Sequence, residues 1–183
     1  KRLTSEQIDT IKNAFNLTAS SFGLQPVKMV IISNKELQEK MVAPAYYQRQ
    51  VADASHLIVL CIKKSTTAED IHRHFDLVKE IRGTSEEVLS KFRNQLIETY
   101  KNKSIEEQLE SAKNQAYIIL GNLMTVCAVE KIDTCPMEGF MPEKVDALLN
   151  LSEQNLQSIL LLPIGFRDEN DIMNGMKKVR KAL

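Results

Sequence analysis

From Ala116 to Val129 the chain is apolar at every position except Gly121, Asn122 and Thr125. A helix of that composition has no polar face to turn to water, so nearly all of its sides must be covered. It has to be a central element, expected over residues 105–129, and the remaining segments must be arranged around it. Ala112, Ala116, Gly121 and Ala128 mark places along it where another backbone could come close.

Three short apolar runs rich in branched side chains, at residues 29–32, 57–62 and 159–162, read as strands covered on both faces. Ile8, Ile11, Ala14, Phe15 and Leu17 recur at helical spacing behind an N-cap at Thr4 or Ser5. Because that cap stands almost at the first residue, further chain is expected upstream. Asn34 opens a short capped helix, residues 48–54 a second, and residues 132–135 a short strand leading to a turn and a helix that begins near Pro142. Residues 67–103 are charged, with narrow apolar stripes at Ile71, Phe75, Val78 and Ile81, then Val88, Phe92, Leu96, Ile97 and Tyr100, as expected for outer helices. The pattern predicts one layered α+β or α/β domain over residues 1–183, with a helical excursion at about 67–103 and no internal repeat.

Charge and cysteine content narrow the function. Twenty-four basic residues balance twenty-four acidic ones, so neither nucleic acid nor a membrane is expected as a partner. No run approaches the ~20 apolar residues needed to cross a bilayer, and the first residues lack the apolar core of a signal peptide. The three cysteines, Cys61, Cys127 and Cys135, read as reduced, buried thiols of a cytoplasmic protein. His72 and His74 stand two apart in a helical pattern and point to different sides, so no metal site is expected. Phosphate-loop, dinucleotide, zinc-protease and serine-hydrolase signatures are all absent. An enzyme built on this chain would have to take its reactivity from a cofactor.

Three segments could hold one. Residues 18–26, Thr-Ala-Ser-Ser-Phe-Gly-Leu-Gln-Pro, form a loop of small and hydroxyl side chains that lets a flat ligand approach the backbone. Residues 135–140, Cys-Pro-Met-Glu-Gly-Phe, combine a fixed dihedral with a glycine, so intervening N–H groups can be aimed at an acceptor. Lys178 and Arg180 share a face if their segment is extended, and a paired cation suits a phosphate monoester. Each segment alone also reads as an ordinary connection or a solvated tail.

In this order and spacing the segments resemble the FMN-dependent nitroreductase family across essentially the whole chain. The resemblance rests on Thr18-Ala19-Ser20-Ser21 with Gln25-Pro26-Val27, on residues 47–56 ending in Asp53-Ala54-Ser55-His56, on residues 115–123 of the central helix, on Pro136-Met137-Glu138-Gly139-Phe140 and on Gly165-Phe166-Arg167. It implies an α+β fold with a mixed, mainly antiparallel sheet flanked by helices. Two chains would intertwine through the central helix as a homodimer, with two FMN sites at the interface. Ala19, Ser20 and Ser21 would edge the flavin from one subunit. Tyr47, Gln48 and Gln50 would lie near its ring edge or ribityl chain. Pro136, Met137, Glu138 and Gly139 would cover one ring face, with the N–H of Glu138 or Gly139 directed at N5, and Lys178 and Arg180 would hold the phosphate. No side chain would be catalytic. NAD(P)H would be the co-substrate, delivering hydride through flavin N5 to a nitroaromatic, quinone or similar flat acceptor in a ping-pong scheme. Phe22, Phe92 and Tyr100 are the expected lining of the acceptor pocket.

The sequence also departs from the family pattern. The arginine-rich opening segment is not present, Val27 stands where tryptophan is usual, Gly23 where asparagine is frequent, and Gln50 where lysine is common. Two rival readings follow: another flavin chemistry on the same scaffold, such as reductive dehalogenation, or a cofactor-free dimer acting through its surface.

Overall fold

The computed structural model describes residues 1–182. Helix α1 (Ser5–Leu17) starts where the side chain of Thr4 accepts from the N–H of Gln7 while the Gln7 side chain accepts from the N–H of Thr4. The same reciprocal cap opens α4 (Ala68–Arg82) through Thr67 and Asp70, and α6 (Ile105–Val129) through Ser104 and Glu107. Such a pair satisfies two N–H groups that a helix start leaves without partners. The bounds of α1 and α6 are those the apolar spacing predicts.

Strands β1 (Val27–Ile32), β2 (His56–Lys63), β3 (Asp133–Thr134) and β4 (Leu156–Gly165) form a sheet in the order β1-β2-β4-β3. Every strand pairing among the described residues is antiparallel. The alternation of β2 decides what lies on either side. Ile58, Leu60 and Ile62 face a cluster built with Ile11 of α1 and Ala116, Ile119 and Leu123 of α6. Leu57, Val59 and Cys61 face a second cluster, with Met41, Val51 and Val145. That second layer comprises α2 (Lys35–Lys40), α3 (Gln50–Asp53) and α7 (Pro142–Leu148). Truncating a wholly buried leucine or isoleucine among these, such as Ile11, Leu57, Ile58, Leu60 or Leu123, to alanine removes about 2–5 kcal/mol of stability.

Helix α4 and α5 (Glu86–Asn102) form a hairpin around a third, separate cluster of Ile71, Phe75, Leu89, Leu96 and Tyr100. Gly83, at φ 64°, closes α4 in the left-handed conformation. Three expected stripe residues, Ile81, Val88 and Phe92, fall outside this cluster. Ile81 and Val88 are exposed, because the inward face of α5 follows Leu89, Leu96 and Tyr100, and position 88 is rotated about 100° from it.

The central helix is covered on one side only by its own chain. Tyr117, Ile118, Thr125, Ala128 and Val129 form an exposed stripe, and a Cβ placed on Gly121 would meet nothing within 4 Å. No helix among the described residues is long and apolar enough to cross a membrane.

Candidate functional site

The loop at residues 18–26 is held by the polar residues of the central helix. Gln115, buried on the inward face of α6, accepts from the N–H of Ser21 at 2.9 Å and donates to the carbonyl of Ser111. One heptad on, Asn122 donates to the carbonyl of Ala14 (3.2 Å) and to Thr18 Oγ1 (2.7 Å). Within the loop, the N–H of Gln25 donates to Ser20 Oγ at 3.2 Å. Three of its residues carry positive φ: Phe22 at 55°, Gly23 at 73° and Gln25 at 46°. For phenylalanine and glutamine that conformation costs about 1 kcal/mol or more, so the surrounding bonds must enforce it. Gly23 is required twice over, since a Cβ there would lie 2.9 Å from Cε1 of His74. Ala19 and Ser21 are exposed on this loop and Ser20 is half-buried.

A second group assembles at the far end of the sheet. Lys35 Nζ donates to the carbonyls of Ala52 (2.8 Å) and Ala54 (2.5 Å), and the buried Gln38 donates to those of Val51 and Ala54. These bonds fasten the end of α3 and so fix Gln48 and Gln50. Ser55 Oγ accepts from the N–H of Leu3 at 2.8 Å, and Gly165 ends β4 where a Cβ would lie 3.0 Å from the N of Ser55. Gln48 Nε2 donates to the carbonyls of Ala45 and Gly139, both at 3.0 Å, and Gln50 Nε2 donates to Gln48 Oε1 at 3.1 Å. Tyr47 is exposed at φ 61°.

The turn at residues 136–139 is pinned at both ends. The N–H of Met137 donates to the carbonyl of Leu161 (2.8 Å), and the N–H of Met141 donates to that of Pro44 (2.9 Å). Between them, the N–H groups of Glu138 and Gly139 meet no acceptor among the described residues, and both residues are exposed. Tyr117 of α6 donates its hydroxyl to Glu138 Oε1 at 2.5 Å, which raises the Tyr117 pKa above the usual phenolic range. The side chain of Glu138 therefore has a positioning contact that local sequence does not signal.

Several predicted residues lie elsewhere. Met137 is buried in the second core cluster, so only its backbone borders the turn. Cys135 is exposed rather than buried; Cys61 and Cys127 are buried, and burial is the main cause that raises their thiol pKa values, to about 12 and about 11. Lys178 and Arg180 sit in the exposed C-terminal segment. Phe22 and Phe92 meet, with ring centroids 6.1 Å apart, but Tyr100 stands two turns further along α5 and lines a different hollow, near Ser65 and Lys103. Among the described residues no three His, Cys, Asp or Glu side chains converge as a metal site would need.

Loop and turn are both anchored on α6, by Gln115 and Tyr117. Two residues are a rotation of about 200°, so the two anchors are on opposite sides of the helix. The loop and the turn are thus held from opposite sides of α6.

An antiparallel sheet with a long central helix on one face and a helical hairpin beside it is the nitroreductase-like fold. It is similar over all of its length to the crystal structure of a candidate nitroreductase of Bacillus subtilis, at TM-score 0.87, 22% identity and 86% of that chain. A candidate nitroreductase of Exiguobacterium sibiricum, solved in complex with FMN, matches at TM-score 0.84 and 20% identity, over 100% of this chain and 85% of that one. In sequence, the model of the nitroreductase family matches residues 1–166. A Staphylococcus epidermidis protein named as a candidate NAD(P)H nitroreductase is 34% identical over 164 residues, 82% of this chain and 70% of the relative. The chain belongs to the nitroreductase family.

Proposed function

We propose that this chain is one subunit of a homodimeric, FMN-dependent oxidoreductase that passes hydride from NAD(P)H to a flat, electron-poor acceptor such as a nitroaromatic or a quinone. One observation carries the reading: two consecutive, exposed backbone N–H groups, at Glu138 and Gly139, have no acceptor of their own on a turn pinned at both ends. Donors fixed in place beforehand stabilise charge on a bound group without reorganising during reaction. A flavin has ring acceptors suited to such donors, and the small, strained loop at Ser20 and Ser21 admits a flat edge. The residues present therefore fit FMN.

In this reading Glu138 and Gly139 hold the ring through their backbone, with Tyr117 and Gln48 fixing the turn from either side. Ala19, Ser20 and Ser21 border the group from the partner subunit's copy of the loop, which the anchoring of loop and turn on opposite sides of α6 favours. The exposed stripe at Ile118, Gly121 and Val129 supplies the face on which two such chains meet. Pro136, Tyr47, Gln48 and Gln50 form the rim, and Lys178 and Arg180 meet the phosphate. FMN, when bound, supplies reversible two-electron chemistry, so the protein contributes placement, exclusion of water and fixed donors.

The test is the visible spectrum of the purified protein after FMN is added and the excess removed, followed by NADPH and then NADH without oxygen. Retained flavin that bleaches with either donor and recovers its colour with a nitroaromatic or quinone is the expected result. A protein that releases all of its FMN overturns the reading.

A further inference from the structure

Beside the Ser20–Ser21 side of the candidate site, the loop and the helical hairpin enclose a cavity of about 360 Å³. Its walls include Phe22, Phe75, Leu89 and Phe92, and its polar groups are His74 and Arg82. Rings of Phe22 and Phe92 stand 6.1 Å apart, and Phe75 meets Phe92 edge-on at 5.6 Å. The size is that of a small-molecule site, and tilted aromatic walls suit a planar ring system.

Two features of this cavity are unexplained by folding alone. Phe22 and Phe92 remain 47% and 46% exposed, and Phe22 reaches the cavity from a backbone at φ 55°, a conformation that disfavours a bulky residue. Arg82, moreover, has no hydrogen-bond or ionic partner among the described residues. Glu86 is engaged by Arg93 and by Lys79, the latter at 3.8 Å. A guanidinium left free at the mouth of an aromatic cavity can take a carboxylate or sulfonate in a two-point hydrogen bond. His74 lies beside Arg82 in this wall, where burial first, then the nearby Arg82, lowers its pKa below the ordinary histidine value.

The geometry points to a specificity site: the cavity takes the ring of a planar aromatic acceptor that carries an acidic group, and Arg82 binds that group. The inference rests on the oxidoreductase reading for the word acceptor, but not for the binding itself. Arg82 touches the substrate's acidic group at a distance from the reacting atoms, so it governs selection rather than the chemical step.

Binding and turnover are tested separately. The FMN-loaded protein is titrated calorimetrically with 2-naphthoate and with neutral 2-naphthamide, neither of which it can reduce. The expected result is tighter binding of the naphthoate, with a preference that falls about tenfold in Arg82→Ala and is only partly kept in Arg82→Lys, which retains the charge but not the two-point geometry. Lys79→Ala, outside the cavity, is the control for general loss of positive charge. Equal affinity for the two ligands, or an equal effect of Lys79→Ala, overturns the proposal. Steady-state rates with 4-nitrobenzoate and 4-nitrobenzamide then read the same preference in KM. Absence of any turnover defeats the oxidoreductase reading alone, because naphthoate binding that depends on Arg82 still decides the cavity.

Discussion

At Gly23 a hydrogen atom is the only side chain compatible with both the backbone and the neighbour. Gly23→Ala puts a methyl group into a positive-φ position and against the ring of His74, two penalties that add. A loss of about 1–3 kcal/mol in unfolding free energy is expected, measured by urea denaturation. The effect should also reach Phe22, and thus weaken naphthoate binding, since both share the same strained turn. Single residues were the least legible part of the sequence. The loop at 18–26 stood out for its composition, yet nothing local reveals that Ser21 is bonded to Gln115, ninety-four positions away. Tyr117 was equally hidden, because a tyrosine in an apolar run reads as core until its hydroxyl is seen to have a partner. Met137 and Cys135 were misread for a related reason: in an irregular turn there is no periodicity to say which side chains face inward.

Elements were legible where their ends carry their own chemistry. An N-cap and an apolar rhythm locate α1, a long apolar run locates α6, and Pro142 marks the start of α7. The stripes of α4 and α5 were less exact, since two charged helices packed mainly on each other leave several apolar residues outside the seam. Two predictions belong here. Gln115→Leu keeps the apolar helix but removes the acceptor for Ser21 N–H, leaving a half-buried donor without a partner. It should lower stability by about 1–3 kcal/mol and weaken FMN retention, read from flavin fluorescence after gel filtration. Asp70 joins β2 to α4: it accepts from Lys63 at 2.5 Å and Arg73 at 2.6 Å. Burial pushes its pKa up, but bonds from Lys63, the Thr67 backbone and Arg73 outweigh it and hold the carboxylate well below its usual range. A group depressed in this way lends stability that is complete above its unfolded pKa of about 4 and is lost as pH falls through the folded value. Asp70→Asn should therefore cost about 1–3 kcal/mol at pH 7, with the difference from the parent shrinking steadily below pH 4. A constant difference down to pH 2 would show that the network has no ionic part.

For the molecule as a whole, the decisive question is what covers the outer stripe of α6. The helix was expected to need cover on nearly all sides, and its own chain provides it on one. In a lone subunit Ile118→Glu should be harmless, because the site faces water. If two chains meet there, a buried carboxylate without a partner should split the dimer and release FMN, and light scattering together with the flavin spectrum distinguishes the cases. The layered architecture was readable because both faces of β2 are apolar, whereas the assembly depends on a surface that only three-dimensional packing exposes. The helical hairpin, finally, keeps its apolar residues in a cluster separate from the two that sandwich the sheet. Changes within that cluster leave the packing on either face of the sheet untouched, so a lineage can revise what the protein admits without repacking its main core.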